Sequence, residues 1–152
     1  MKIHTTRFGE LDIEESRIIT MRGGILGFEH LKRFFLYAAG EKNPFWWFQS
    51  AEDSSVAFVV IDPFLVKADY TPEICDEDER LLELEKAEDV VVMSIVTIRH
   101  DPFGISVNLR APLVINAAKK LAKQIILDNE EYPVQYAVSA GRTRTEQAAT
   151  VK

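Results

Sequence analysis

The chain has 152 residues, 47% of them hydrophobic and 28% charged, and a formal net charge of −6. That length supports one compact domain with a sizeable core, and the acidic balance disfavours a surface built to hold a phosphate backbone. The longest apolar run, residues 90–98, is about half of the roughly 18 to 20 residues that cross a bilayer, the N-terminal stretch lacks the apolar centre of a signal peptide, and the one cysteine, Cys75, allows no internal disulfide, so the expectation is a soluble cytosolic protein without membrane attachment.

Short apolar runs separated by Gly, Pro, Asp or Asn recur along the chain: "GELDI", "RIITM", "RFFLY", "FWWFQ", "VAFVVI", "VVVMSIVTI", "ISVNL", "PLVIN", "KQIIL" and "PVQYAV". Rich in Val, Ile, Phe and Tyr, they predict an all-β fold of mainly antiparallel strands in a small barrel or pseudo-barrel, with one or two short helices. After the second run, "RGGILGFEH" carries Gly23, Gly24 and Gly27, but Phe28 and Glu29 follow where a phosphate loop needs Lys and Ser or Thr. It reads as a tight turn. In "FWWFQS" a strand puts Phe45, Trp47 and Gln49 on one side and Trp46, Phe48 and Ser50 on the other. Being apolar on both faces, it should lie centrally, with Trp46 or Trp47 in the core and the outer face covered by a helix, a loop or a partner. "DPF" at residues 62–64 and 101–103 follows a strongly apolar run each time and marks a strand exit.

One helix is predicted over residues 71–84, with Thr71 as N-cap and Pro72 at the first helical position. Ile74, Leu81 and Leu82 fall on its inward face, and Asp76, Glu79 and Glu83 project outward. "NAAKKLAKQIIL" has helical propensity but ends in β-branched residues, so it fits a turn followed by a strand equally well. Residues 51–100 hold 4 Lys/Arg against 13 Asp/Glu, a balance of −9, concentrated in residues 73–89, while residues 101–152 are slightly basic. An acidic run alone is ordinarily a solvated face, yet it also steers cationic protein partners. Residues 139–152 lack apolar periodicity and hold two arginines, which predicts a polar tail, mobile or captured by a neighbour, after a single domain over 1–138. His4, His30 and His100 lack metal spacing, and no serine sits in GxSxG. The sequence therefore suggests no enzyme, no cofactor and no metal.

Taken in order, "FGELDIEESRIITMRGGILGFEHLKRFFL", "PFWWFQSAEDSSVAFVVIDPF", the acidic stretch after "DY", "NLRAPLVIN" and "KQIIL" resemble the FliW family of bacterial flagellar assembly factors, over about residues 8–138. Residues 24–29, Gln49, Ser50, Asp62, Pro63, residues 108–116 and Gln124 make the ordered set specific; the family often has proline where this chain has Leu26. The resemblance implies a non-catalytic regulator that binds the RNA-binding translational repressor CsrA, antagonises its repression of flagellin mRNA, and binds flagellin, which competes with CsrA. On that implication Asp76, Glu77, Glu79 and Glu83 become candidate protein-binding residues. Gly24, Gly27, Phe28, Trp47, Gln49, Asp62, Pro63, Asn108, Pro112, Asn116 and Gln124 are taken as architecture, with the two asparagines satisfying backbone groups around a bend at Pro112. Two other classes stay open. A small-molecule-binding barrel would line a polar-tipped cavity with the tryptophans. An oligonucleotide-binding barrel would mix aromatic and basic residues on one face, whereas Glu52 and Asp53 adjoin the aromatics here.

Overall fold

Burial alternates residue by residue along the first strands, as a pleated chain with one wet face requires. In β1 (Lys2–Thr5), Ile3 and Thr5 are buried between exposed neighbours, and β3 (Ile19–Gly23) buries Ile19 and Met21 in the same way. The computed structural model describes residues 1–38, 40 and 42–138, so the tail expected at residues 139–152 lies outside the described residues. The remaining strands are β2 (Gly9–Asp12), β4 (Arg33–Ala38), β5 (Trp46–Ser50), β6 (Ala57–Ile61), β7 (Val90–His100), β8 (Phe103–Val107), β9 (Leu113–Asn116), β10 (Leu121–Gln124) and β11 (Tyr136–Val138), with one α-helix, α1 (Asp76–Leu81).

Seven strands close a barrel in the order β7–β6–β5–β4–β3–β10–β9 and back to β7. Closure pairs each of these seven strands on both sides, which protects them from edge-to-edge aggregation. Every neighbouring pair is antiparallel except β10 with β3, which is parallel. The eleven-residue β7 makes closure possible by changing partners along its length: Val90 to Met93 pair with β9, and Val96 to His100 pair with β8. β8 and β11 thus extend the sheet beyond the barrel.

Phe34, Phe48, Val60 and Leu113, each with no exposed surface, fill the interior, and the Phe34 and Phe48 rings stack with centroids 4.6 Å apart. Outside the wall, the β1–β2 hairpin packs Ile3 and Ile13 with Ile18 against Phe35. Both faces are fully buried in β4, through Phe34 and Phe35, in the second half of β5, through Phe48 and Gln49, and along all of β9. In β5 the expected alternation holds, but the indoles are not core: Trp46 is 37% exposed and Trp47 half-buried, and Phe48 takes the interior place. Trp46 alternates to the inner side but begins its strand, where water reaches it. Trp47 faces outward beneath a cover from the same chain: the Arg7 guanidinium lies 4.6 Å above its ring, and Phe8 meets it edge-on at 5.7 Å.

The turn motifs have specific partners. The Ile25–Phe28 turn closes with a 2.6 Å hydrogen bond from the Phe28 N–H to the Ile25 carbonyl, and Gly27 has φ +89°, a conformation that favours glycine. A Cβ on Gly24 would lie 2.4 Å from the Cα of Glu29, so only glycine fits there. Asp62 caps a 3-10 turn, Pro63–Leu65, by accepting from the Phe64 N–H at 2.9 Å, and the second "DPF" lies at the β7–β8 hairpin. "NAAKKLAKQIIL" is a turn followed by β10: Asn116 Oδ1 accepts from the N–H groups of Ala118 and Lys119, holding the backbone in a local turn that competes with helix. Among the described residues no helix is long and apolar enough to cross a membrane.

Candidate protein-binding surface

The acidic segment crosses the outside of the barrel with a much shorter helix than its sequence predicts. α1 covers only Asp76–Leu81, and Cys75 occupies its N-cap without a side-chain bond. Thr71 cannot cap it. The Thr71 hydroxyl and the Tyr132 hydroxyl share a hydrogen bond at 2.9 Å, and the Thr71 N–H donates to that same Tyr132 oxygen, so residues 71–75 are drawn across the body of the protein before any helix begins. Leu81, expected inside, is 37% exposed, while Leu82 is fully buried and Ile74 packs partly against the core.

The helix stops at once. The Glu83 N–H donates to the Arg80 carbonyl and the Leu84 N–H to the Glu79 carbonyl, each at 3.0 Å, with Glu83 at φ +54°. This is a Schellman ending with glutamate where glycine is usual. Asn116 holds it: its Nδ2 donates to the Leu82 and Glu83 carbonyls at 2.9 and 3.0 Å. Around the Glu83 carboxylate stand Arg22 at 3.3 Å and Lys119 at 3.2 Å, and Lys119 also reaches Glu85 at 3.4 Å. Those partners raise the Lys119 pKa, the Glu83 hydrogen bond contributing most.

The four candidate carboxylates therefore divide. Asp76, Glu77 and Glu79 lie on α1, exposed and without an ion pair among the described residues, whereas Glu83 lies past the helix in a network with the barrel. A sixth-sense for this division is absent from the charge pattern, because Asp78 in the midst of the run behaves differently again. It is buried, and Lys123 Nζ donates to its Oδ1 at 2.5 Å. That bond, foremost, holds the Asp78 carboxyl below its ordinary value of 3.8 against the opposing effect of burial, with a smaller contribution from the Cys75 thiol at 3.3 Å. Asp78 fastens α1 to β10.

Sequence reasoning missed a groove of about 620 Å³ beside this helix. Thr71, residues 73–75 and Asp78 line one side, residues 125–129 the other, and Tyr132 is buried between them. The run "DNEEY" at residues 128–132 was a signal for it, diluted by the basic residues around it in a count by thirds. The other motif residues hold the frame. Gln124 Oε1 accepts from the Leu26 N–H at 2.9 Å and its Nε2 donates to the Ala111 carbonyl at 3.2 Å. Asn108 Oδ1 accepts from the N–H groups of Arg110 and Ala111, turning the chain ahead of Pro112, and buried Gln49 donates to the Ser50 and Val56 carbonyls.

A strand order closed through β7, with the acidic segment outside and the "GILGF" turn tied to Gln124, is a specific arrangement, and the family model described as FliW protein matches residues 2–138. The chain belongs to the FliW family. It is 52% identical over 142 residues to the flagellar assembly factor FliW of Syntrophus aciditrophicus strain SB, covering 93% of this chain and 90% of that protein. The flagellar assembly factor FliW of Thermosipho africanus strain TCF52B is 44% identical over 137 residues, covering 90% of this chain and 94% of its own. Among solved structures, the crystal structure of the flagellar assembly factor FliW superposes with a TM-score of 0.82 at 34% identity, covering 90% of this chain and 96% of that one. The FliW fold is thus the scaffold that carries the acidic ledge and its groove.

Proposed function

We propose that this chain is a cytoplasmic flagellar assembly factor without catalytic activity, which binds the RNA-binding translational repressor CsrA, antagonises its repression of flagellin mRNA, and binds flagellin in competition with CsrA. The observation that supports this reading is the set of three exposed carboxylates, Asp76, Glu77 and Glu79, without ion pairs among the described residues. Solvated carboxylates on a ledge fixed to a rigid barrel attract a basic partner from a distance and orient it on arrival. A barrel that held a small molecule would need room inside, and here Phe34, Phe48, Val60 and Leu113 occupy the interior.

The test is a titration of CsrA into the parent and into a variant with Asp76, Glu77 and Glu79 all changed to Lys, with a melting curve for each. Reversal replaces attraction by repulsion at each position and should weaken binding by about tenfold or more in a folded variant. Raised salt should weaken the parent complex and narrow the gap. Unchanged affinity in a folded variant moves the interface away from α1, and no binding by the parent at low salt removes CsrA as a partner. Prior addition of flagellin should raise the apparent Kd for CsrA; a stable ternary complex would overturn the competition.

A further inference from the structure

The groove beside α1 combines three features that no part of the barrel frame requires. The first is charge. Residues 71–79 contain Glu73, Asp76, Glu77, Asp78 and Glu79, and residues 125–131 contain Asp128, Glu130 and Glu131, with no Lys or Arg in either segment. Two nearby cations are engaged, Lys123 with Asp78 and Arg110 with the carbonyls of Tyr132 and Glu130, and Arg80 follows at the exposed end of α1. Glu73 and Asp128 stay exposed on opposite sides of the groove.

The second is apolar surface between those charges. Ile125, Leu127 and Tyr132 are buried in the lining, Ile74 is half-buried, and Ile126 stands 63% exposed. The third is unpaired backbone. The N–H groups of Ile125 and Leu127 donate to the carbonyls of Pro112 and Arg110, so the intervening Ile126 faces away from that neighbour. Among the described residues, the N–H groups of Ile126 and Asp128 donate no hydrogen bond, and neither do those of Glu73 and Ile74 across the groove. The wall of residues 125–129 thus offers two main-chain donors on the side away from its neighbour, and the facing wall at most one of the two at Glu73 and Ile74, since successive N–H groups of an extended chain point to opposite sides.

We infer that the groove between residues 71–75 and 125–129 is a docking site for an extended peptide segment of a protein partner, one in which Lys or Arg alternates with apolar side chains. An extended peptide satisfies main-chain groups along a strand-like edge, and its alternation sends successive side chains to opposite sides. Here the apolar side chains meet half-buried Ile74 and buried Tyr132, and the cationic ones meet exposed Glu73 and Asp128, with Ile126, on the same face of its wall as Asp128, against their aliphatic stems. The inference rests on the reading of this acidic face as a partner-binding surface and gives that face a recognition chemistry: main-chain pairing and apolar contact hold the segment, while the exposed carboxylates select its charge.

The experiment uses the full chain and fluorescence anisotropy with three labelled, end-capped short peptides: alternating Lys and Val, alternating Glu and Val, and the Lys/Val peptide N-methylated at each valine. The Lys/Val peptide should bind, the Glu/Val peptide should not, and N-methylation should abolish binding, because a methyl group on each valine nitrogen holds the pairing edge away and keeps the peptide carbonyls from the N–H groups of the groove. Glu73→Lys with Asp128→Lys should weaken the Lys/Val peptide by about tenfold or more, and Ile126→Ser should weaken it severalfold, with unchanged melting curves certifying the fold. Equal binding of the Glu/Val peptide, or full binding of the methylated one, would overturn the inference. The same groove variants titrated with CsrA and flagellin separate the two readings. Partners that bind every variant like the parent, with no peptide bound, overturn the groove alone; peptide binding that obeys these rules beside a parent that binds neither partner overturns the partners alone.

Discussion

The barrel seam and the acidic ledge lie side by side and use their polar groups in opposite ways. At the seam, where β9 meets β7 and β10, Asn116 is nearly fully buried and both ends of its amide are engaged, two carbonyls taking its N–H groups and two N–H groups meeting its oxygen. On the ledge a few residues away, Asp76, Glu77 and Glu79 face water without an ion pair among the described residues. An unsatisfied buried polar group costs about 1 to 3 kcal/mol, whereas a solvated carboxylate costs the fold little. Folding therefore selects the first set of residues closely and leaves the second available for recognition. Glu83, adjoining both, sides with the barrel.

The largest expected effect lies deep on the barrel side. Phe48→Ala removes a ring stacked on Phe34 in the sealed interior and should destabilise by about 3 to 5 kcal/mol. Trp46→Ala deletes a larger side chain but one already partly in water, so it should lower the melting temperature less. A reversed ranking would mean that the inner face of β5 is sealed at its Trp46 end and not at Phe48. Next, Asn116→Ala should cost about 2 to 3 kcal/mol, because it strands buried carbonyls at the Schellman ending as well as the turn after β9. It also loosens the ledge, so partner affinity should fall with stability. Loss of stability without any change in affinity would show that the ledge does not depend on the seam for its position.

Asp78→Asn sharpens the comparison through pH, since Asp78 is the one acidic residue of α1 that belongs to the barrel. Its folded pKa lies below the ordinary 3.8, chiefly because of the Lys123 hydrogen bond. The folded state therefore binds the proton less readily than the unfolded chain, and the pair contributes its full stability above the ordinary carboxylate value. That contribution is lost as pH falls through the lowered folded value. At about pH 7 the substitution should cost about 1 to 2 kcal/mol, and below about pH 4 the parent should approach the variant. Parallel melting curves across that range would show that the pair does not stabilise the fold.

How far the sequence reveals each region follows the same physics. Strand alternation, the glycine turn and the asparagines around Pro112 are local requirements, so "GILGF" and "NLRAPLVIN" declare themselves in the residues. The division of labour on the ledge is not local. Thr71 is an acceptable N-cap in isolation and is engaged by Tyr132 only through the fold, 61 residues away in sequence. Asp78 looks like Asp76 and Glu77 until Lys123, 45 residues on, closes on it. Trp46 outranks Phe48 in size, but barrel closure decides which end of β5 meets water. The groove joins two acidic runs that a count along the chain keeps apart.

The smallest expected effects separate the four carboxylates once more. Amide substitution of Asp76, Glu77 and Glu79 together removes no ion pair among the described residues, so the melting temperature should hardly move. Relief of like-charge repulsion along α1 opposes the lost attraction of those carboxylates for the helix N-terminus. Glu83→Gln, a single change, removes the contacts to both Arg22 and Lys119 from a residue held at positive φ, so it should lower the melting temperature more than the triple variant does. Salt discriminates further: screening of the exposed network should shrink the Glu83→Gln difference and leave the triple variant's near zero. For partner affinity the order should reverse, with the triple variant weaker than Glu83→Gln. If Glu83→Gln melts like the parent yet loses the partner, Glu83 rejoins the ledge, and its contacts with Arg22 and Lys119 give way when the partner arrives.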